Sequence, residues 1–230
     1  MRITGILLLG WNLYAMNYTT TFPAAENPIS QGKQWSNGKD DGADWCNVQT
    51  SAGYVWGVGP CPVEYADPTA VLIGAWGPDQ TVQATARIKS TTPSYYQEIE
   101  LRLRTTIRPH TITGYEINFG VSHPYLEIVR WNGRLADFTY LSPSCKYPSV
   151  CARVDGFLIR NGDVAKATIS GNTINVYVNG VLRATATDRT FTTGNPGVGY
   201  NYGCGGTYAN FGWENFSATD AVGPEAKKKR

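Results

Sequence analysis

Apolar and polar residues alternate with a period of two along most of this chain. The clearest case runs from Tyr95 to Thr106. There Ile99, Leu101 and Leu103 share one face, and Glu98, Glu100, Arg102 and Arg104 share the other. This pattern predicts a half-buried antiparallel strand. Tyr115–Phe119 repeats it, with Tyr115, Ile117 and Phe119 opposite Glu116 and Asn118. β-branched and aromatic runs bounded by turn residues predict further strands at Tyr18–Phe22, Ala70–Trp76, Thr81–Ile88, Leu126–Trp131, Phe138–Leu141, Phe157–Ile159 and Val164–Ser170. Asn132-Gly133 reads as the turn between two of these. Ile174–Val178 and Val181–Ala186 flank Asn179-Gly180, a strong signal for a tight hairpin. A Gly/Pro-rich return over Gly194–Tyr200 and an aromatic run at Phe211–Ala218 close the chain. No segment has helical periodicity, and there is neither an internal repeat nor an interdomain linker. The sum is an all-β, antiparallel β-sandwich of about twelve strands in two sheets.

Composition supports this and narrows the function. The 230 residues include 25 Gly and 13 Pro, and only 17% are charged, which suits short strands joined by tight turns. The chain divides into an apolar N-terminal arm or weakly signal-like segment (1–16), one sandwich domain (17–220) and a basic flexible tail (221–230). The apolar run of the arm is too short to span a bilayer. Lys and Arg total 20 against 18 Asp and Glu, but Lys227, Lys228, Lys229 and Arg230 supply four of the positive charges. The body is therefore near neutral, which argues against a nucleic-acid surface over it. Five cysteines show no zinc spacing. Their loop positions predict disulfides Cys145–Cys151 and Cys46–Cys61, with Cys204 left over, and hence an oxidising compartment; five reduced thiols are the alternative.

The hairpin at Asn179-Gly180 is followed by Asp188 and the Gly194–Gly199 return. Together with the closing strand and the central alternating strands, it resembles the concanavalin A-like lectin/glucanase superfamily, and laminin-G-like jelly-roll modules in particular. The resemblance covers Asn17 to Asp220. It implies that the closing strand pairs with Tyr18–Phe22. It also implies that the polar faces of the central strands line a concave surface that binds polysaccharide. That surface would present Glu98, Glu100, Arg102, Glu116, Asn118 and Glu127, with Tyr95, Tyr96, Trp131 and Tyr140 near its rim. Sugars offer apolar C–H faces and many hydroxyls, so aromatic platforms beside charged and amide groups suit them. The competing explanation is a solvated sheet face with cross-strand Glu/Arg pairs.

For catalysis the candidates are Glu98 and Glu100, two apart on one strand face. The laminarinase-like enzymes of the superfamily carry Glu-x-Asp-x-Glu, and Glu98-Ile99-Glu100-Leu101-Arg102 does not match it. His110 and His123 adjoin prolines and read as surface loop residues. In the loop SNGKDDGADW, Asn37, Asp40, Asp41 and Asp44 are oxygen ligands of the kind calcium takes, and equally common turn formers. Asn17-Tyr18-Thr19 and Asn215-Phe216-Ser217 fit the N-glycosylation pattern. The leading expectation is an extracellular, lectin-like module that binds a polysaccharide or glycan, with either no cofactor or a structural calcium ion. Its rivals are a glycoside hydrolase or polysaccharide lyase of the same fold, and a virion or cell-surface decoration protein that self-assembles through the N-terminal arm.

Overall fold

The computed structural model describes residues 15–59, 67–92, 96–202 and 208–220. The arm at 1–14, the tail, Tyr95, Cys61 and Cys204 lie outside them. Among the described residues seventeen strands follow in chain order. They are β1 (Asn17–Thr20), β2 (Trp35–Asn37), β3 (Val48–Ser51), β4 (Tyr54–Gly57), β5 (Thr69–Leu72), β6 (Gln80–Ile88), β7 (Glu98–Arg108), β8 (Thr111–Gly120) and β9 (Tyr125–Gly133). After these come β10 (Phe138–Tyr140), β11 (Ser144–Lys146), β12 (Arg153–Asp155), β13 (Val164–Ser170), β14 (Thr173–Val178), β15 (Val181–Thr187), β16 (Asn195–Asn201) and β17 (Phe211–Thr219). The number exceeds twelve because pieces such as β2, β11 and β12 span three residues, too few to show a period.

Two sheets pack face to face. One has eight strands in the order β15-β14-β13-β6-β17-β4-β3, with β1 on β17. The other has nine in the order β11-β12-β9-β8-β7-β16-β5-β2, with β10 on β9. Pairing is antiparallel except between β11 and β12. The closing strand does meet the N-terminal one, with Tyr18 opposite Ala218. Asn179 and Gly180 have φ of 52° and 77°, the left-handed pair that a two-residue hairpin turn requires. Asn132-Gly133, by contrast, belongs to β9, and the chain reverses over 134–137 instead. Phe157–Ile159 is buried loop and not strand.

The core explains the fit of the sheets. The inner face of the eight-stranded sheet is rich in small residues, including Ala84, Ala86, Ala165, Ala167, Ala184 and Ala186. Opposite lie Ile99, Leu101, Leu103, Ile117, Phe119 and Ile128. Small against large lets the layers interlock at close-packed density. Hydrogen bonds cross the gap as well. Trp213 Nε1 donates to Glu100 O at 3.2 Å, and Tyr200 Oη donates to Val55 O at 3.2 Å.

Arg104 departs from the expected alternation. A bulge lies between Leu103 and Thr106, with Arg104 at φ 47°. Its side chain leaves the Glu98–Arg102 face for the end of the sandwich. There it donates to three carbonyls: Pro78 at 2.6 Å, Phe191 at 2.9 Å and Gly171 at 2.8 Å. One buried guanidinium thus ties together the β5–β6, β13–β14 and β15–β16 connections. Arg104→Met leaves three carbonyls without their donor and is expected to lower stability by about 3–5 kcal/mol. Urea denaturation would check this, with an unchanged midpoint counting against the anchoring role.

Candidate functional site

Cross-strand register builds the concave face of the nine-stranded sheet row by row. Glu116, Arg102, Gly197, Val71 and Ser36 form one row. Glu127, Asn118, Glu100, Gly199 and Thr69 form the next, and Glu98 faces Asn201 beyond it. The predicted residues therefore do come together. They are not open to solvent, however. Glu98, Glu100, Arg102, Glu116, Asn118, Glu127 and Trp131 are all buried, so β7 is covered on both faces and is not the half-buried strand that alternation suggests.

Two features produce this burial. Gly199 has no side chain, and a Cβ there would collide with Glu100 Oε2 and the Arg102 guanidinium. The ion pair can therefore lie flat over β16. The loop at 38–47 then folds over part of the same face. Trp45 packs edge-on against Trp131 at 5.2 Å, and with Ala43, Ile112 and Val129 they form a small second core apart from the main one. Trp131 is thus an internal packing residue and not a rim platform.

Within the cluster, Arg102 Nη2 bridges Glu100 Oε2 at 3.0 Å and Glu116 Oε2. Trp131 Nε1 donates to that same Glu116 oxygen at 2.7 Å. Tyr125 Oη donates to Glu98, and Arg153 pairs with Glu127 and with Asp155, the latter at 3.0 Å. Asp67 is buried beside them. Glu100 Oε1, Arg102 Nε and Nη1, and Asn118 Oδ1 are buried with no hydrogen-bond partner among the described residues. Five carboxylates against two guanidinium groups make proton retention favourable. Burial raises Glu98 from 4.5 to about 8, an effect that the Tyr125 hydrogen bond opposes and that Glu116 and Glu127 reinforce. Burial also pushes Glu100 and Asp67 well above the usual carboxylate range, with Glu116 adding to it and Arg102 opposing it. Glu127 is raised by burial against the pull of Arg153. A carboxylic acid held neutral near pH 7 can donate a proton or a hydrogen bond.

The mouth over this floor is aromatic. Tyr140 is 54% exposed and Tyr96 is 60% exposed. Tyr96 stacks on His123 at 4.4 Å and leans on Tyr125 at 6.2 Å. Arg153 sits 5.6 Å from the Tyr125 ring and 5.7 Å from the Tyr140 ring, linking the two sides. The space enclosed beneath is about 40 Å³, room for roughly a water molecule or one hydroxyl group. Farther along the same face, over β2, β5 and β16, lies an open cleft of about 660 Å³ lined by Lys33, Ser36, Asp41, Ile73, Ile107 and Asn195.

Sequence reasoning missed Tyr125, Arg153, Asp67 and Asn201. Tyr125 was within reach, since it continues the Glu127, Val129, Trp131 alternation. Arg153 lies on a three-residue strand with no pattern to read. The proposed metal residues each have their own partner. Asp40 accepts from Asn47 at 2.9 Å, Asp41 accepts from Ser36, and Asp44 bonds His110 at 3.0 Å. Among the described residues no group of three or more His, Cys, Asp and Glu side chains gathers to hold a metal ion. Cys145–Cys151 is a disulfide and Cys46 is disulfide-bonded, while Cys61, the partner expected for Cys46, lies outside the described residues. No helix among the described residues is long and apolar enough to cross a membrane.

No protein-family model matches the chain, and no curated protein matches its sequence. Solved structures do share its fold. The carbohydrate-binding module CBM66 from Bacillus subtilis superposes with a TM-score of 0.53 at 13% identity, covering 84% of this chain and 96% of that one. The exoplasmic/lumenal domain of VIP36, in its calcium- and mannose-bound form, gives 0.58 at 12% identity, covering 89% and 90%. The carbohydrate recognition domain of Emp47p gives 0.52 at 13% identity, covering 89% and 96%. At such identities the fold alone is shared, a β-sandwich of two antiparallel sheets.

The raised carboxylates set a pH dependence. Between 4.5 and about 8 native Glu98 holds a proton that the unfolded chain has released, so raising the pH favours unfolding. The contribution is complete below 4.5 and lost as the pH passes through about 8. Thermal unfolding should show stability falling across this window, and Glu98→Gln should flatten the fall by up to about 1.4 kcal/mol per pH unit. A wild-type profile that rises from pH 5 to 8 would contradict the burial account.

Proposed function

We propose that this protein is an extracellular carbohydrate-binding domain whose ligand docks on the concave face of the nine-stranded sheet. The observation that carries the reading is the aromatic rim. Tyr96 and Tyr140 are each more than half exposed, and Arg153 lies over the Tyr140 ring beside a buried floor of carboxylates and amides. Ring faces take the C–H side of a sugar, and the Arg153–Glu127–Asp155 group offers charged partners to its hydroxyls. The floor is fixed by its own ion pairs, so the rim is held before ligand arrives and little ordering is lost on binding. The open cleft on the same face gives a longer chain further room. Support from outside the chain comes from neighbours of the same fold whose names describe carbohydrate binding. A disulfide at Cys145–Cys151 suits an oxidising, extracellular setting.

Glycan-array binding followed by titration tests this. Tyr140→Ala and Tyr96→Ala are each expected to weaken binding about tenfold, roughly 1.4 kcal/mol, with folding intact because both side chains are exposed. An array with no binding, or variants that bind like the wild type, would remove the site.

A second reading, a polysaccharide-cleaving enzyme, draws on Glu98 alone. A carboxyl group protonated at neutral pH is the acid half of such chemistry, and Glu100 lies two residues along the same face. It predicts new reducing ends, or ultraviolet-absorbing unsaturated products, from some polysaccharide. Glu98→Gln should slow their release by about a hundredfold or more. Turnover unaffected by that change would dismiss Glu98 as the acid.

A further inference from the structure

A second pocket lies away from the concave face, at the lateral seam where β11 and β12 of one sheet approach β15 of the other. The seam is fastened by backbone. Cys151 bridges to Ala184, Thr185 N donates to Cys151 O at 3.0 Å, and Tyr147 N donates to Asp155 O at 2.9 Å. The Cys145–Cys151 disulfide closes the loop that carries Tyr147. Between these elements is a cavity of about 280 Å³ whose walls include Tyr147, Phe157, Arg160, Asp163, Asn179 and Arg183.

Its chemistry is specific. The Arg183 guanidinium lies 5.5 Å from the Tyr147 ring and 5.8 Å from the Phe157 ring, and donates weakly to Tyr147 Oη at 3.3 Å. Its Nε is buried and has no hydrogen-bond partner among the described residues. Arg160 is exposed at the same cavity. The one carboxylate there is already committed. Asp163 accepts from Arg160 N and from Asn179 Nδ2, both at 2.8 Å. Two cations and a partly exposed tyrosine therefore meet in a preformed pocket with a net positive charge. The volume falls just short of the range for small-ligand sites, about 300 to 1,000 Å³, and suits a single ring.

We propose that this seam pocket is a second ligand site that takes a sugar ring bearing an anionic group, either a uronate carboxylate or a sulfate ester. The ring's C–H face rests on Tyr147, and the anion meets Arg183 and Arg160. The site is independent of the concave rim and stands whether or not that rim binds glycan.

Affinity electrophoresis of the full chain through gels holding polygalacturonate, dextran sulfate or neutral dextran tests it. The chain should carry Lys227→Ser, Lys228→Ser and Lys229→Ser so that tail charge does not contribute. Retardation by polygalacturonate alone assigns the carboxylate, by dextran sulfate alone the sulfate ester, and by both the shared anionic chemistry. Arg183→Lys keeps the charge but loses the planar stack and fork. It should weaken retardation about fivefold or more, as should Tyr147→Ala, whereas Tyr140→Ala on the concave rim should not. Absence of retardation in both anionic gels overturns the proposal. So does an Arg183→Lys chain that migrates like its parent, since the interaction would then be bulk charge.

Discussion

The concave face depends on one cation. Arg102 stands at the centre of the middle strand of its sheet, fully buried, and its Nη2 is shared by Glu100 and Glu116. A buried ion pair adds little net stability compared with an apolar pair of equal volume, yet removing one member strands the other at a cost of about 3–5 kcal/mol. The neighbouring sequence is arranged around this constraint. Gly199 leaves the space the pair occupies, and Trp131 turns its ring towards Arg102 at 5.9 Å while its N–H satisfies Glu116. A core filled only with aliphatic residues would reach the same packing more simply. Five carboxylates and several unpartnered polar atoms nonetheless stay on the inner part of the face.

Desolvation links packing to chemistry here. The loop over 38–47 places Trp45 on Trp131 and builds a small apolar core on the face that carries the charges. Burial is the largest cause of the raised Glu98, Glu100 and Asp67. The same loop leaves the β2–β5–β16 side of the face open as the larger cleft. One segment thus divides a single sheet surface into a closed acidic half and an open amphipathic half.

The sandwich was legible in the sequence because its signals are local and periodic. Val164–Ser170 is a strand with the same bounds by pattern and by structure, and Asn179-Gly180 is a turn for the reason its residues suggest. The membership of the concave face was legible too, since alternation on β7, β8 and β9 fixes which side chains share it. Its burial was not. Whether a polar face meets water depends on a loop some 50 residues away in sequence, and on a glycine opposite Glu100, and neither leaves a periodic trace. Arg104 shows the limit from another side. One bulged residue at positive φ moves a side chain from one face to the end of the sandwich, and nothing in the run Glu98–Arg104 announces where the bulge falls.

The exposed large apolar side chains sort these features by use. Singly scattered exposure needs no explanation, whereas clustered exposure does. Among the described residues the exposed large apolar and aromatic side chains are Ile73, Tyr96, Tyr140, Tyr147, Val150, Val181 and Leu182. Tyr140 lines the acidic mouth, Tyr96 leans on Tyr125 beside it, and Ile73 lines the open cleft on the same face. The other four lie in the disulfide loop or at the start of β15, beside the Arg183 pocket. The eight-stranded sheet presents none of them from its central strands β13, β6, β17 and β4. Apolar exposure is thus confined to the concave face and the seam. The Tyr125 and Tyr140 rings at the concave mouth sit against Arg153 above buried carboxyl groups, while the rings at the seam sit against Arg183 with Asp163 as the one carboxylate lining the pocket. The two places share an aromatic–guanidinium pairing and differ in what lies beside it, a set of buried carboxyl groups at the mouth and a second cation, Arg160, at the seam.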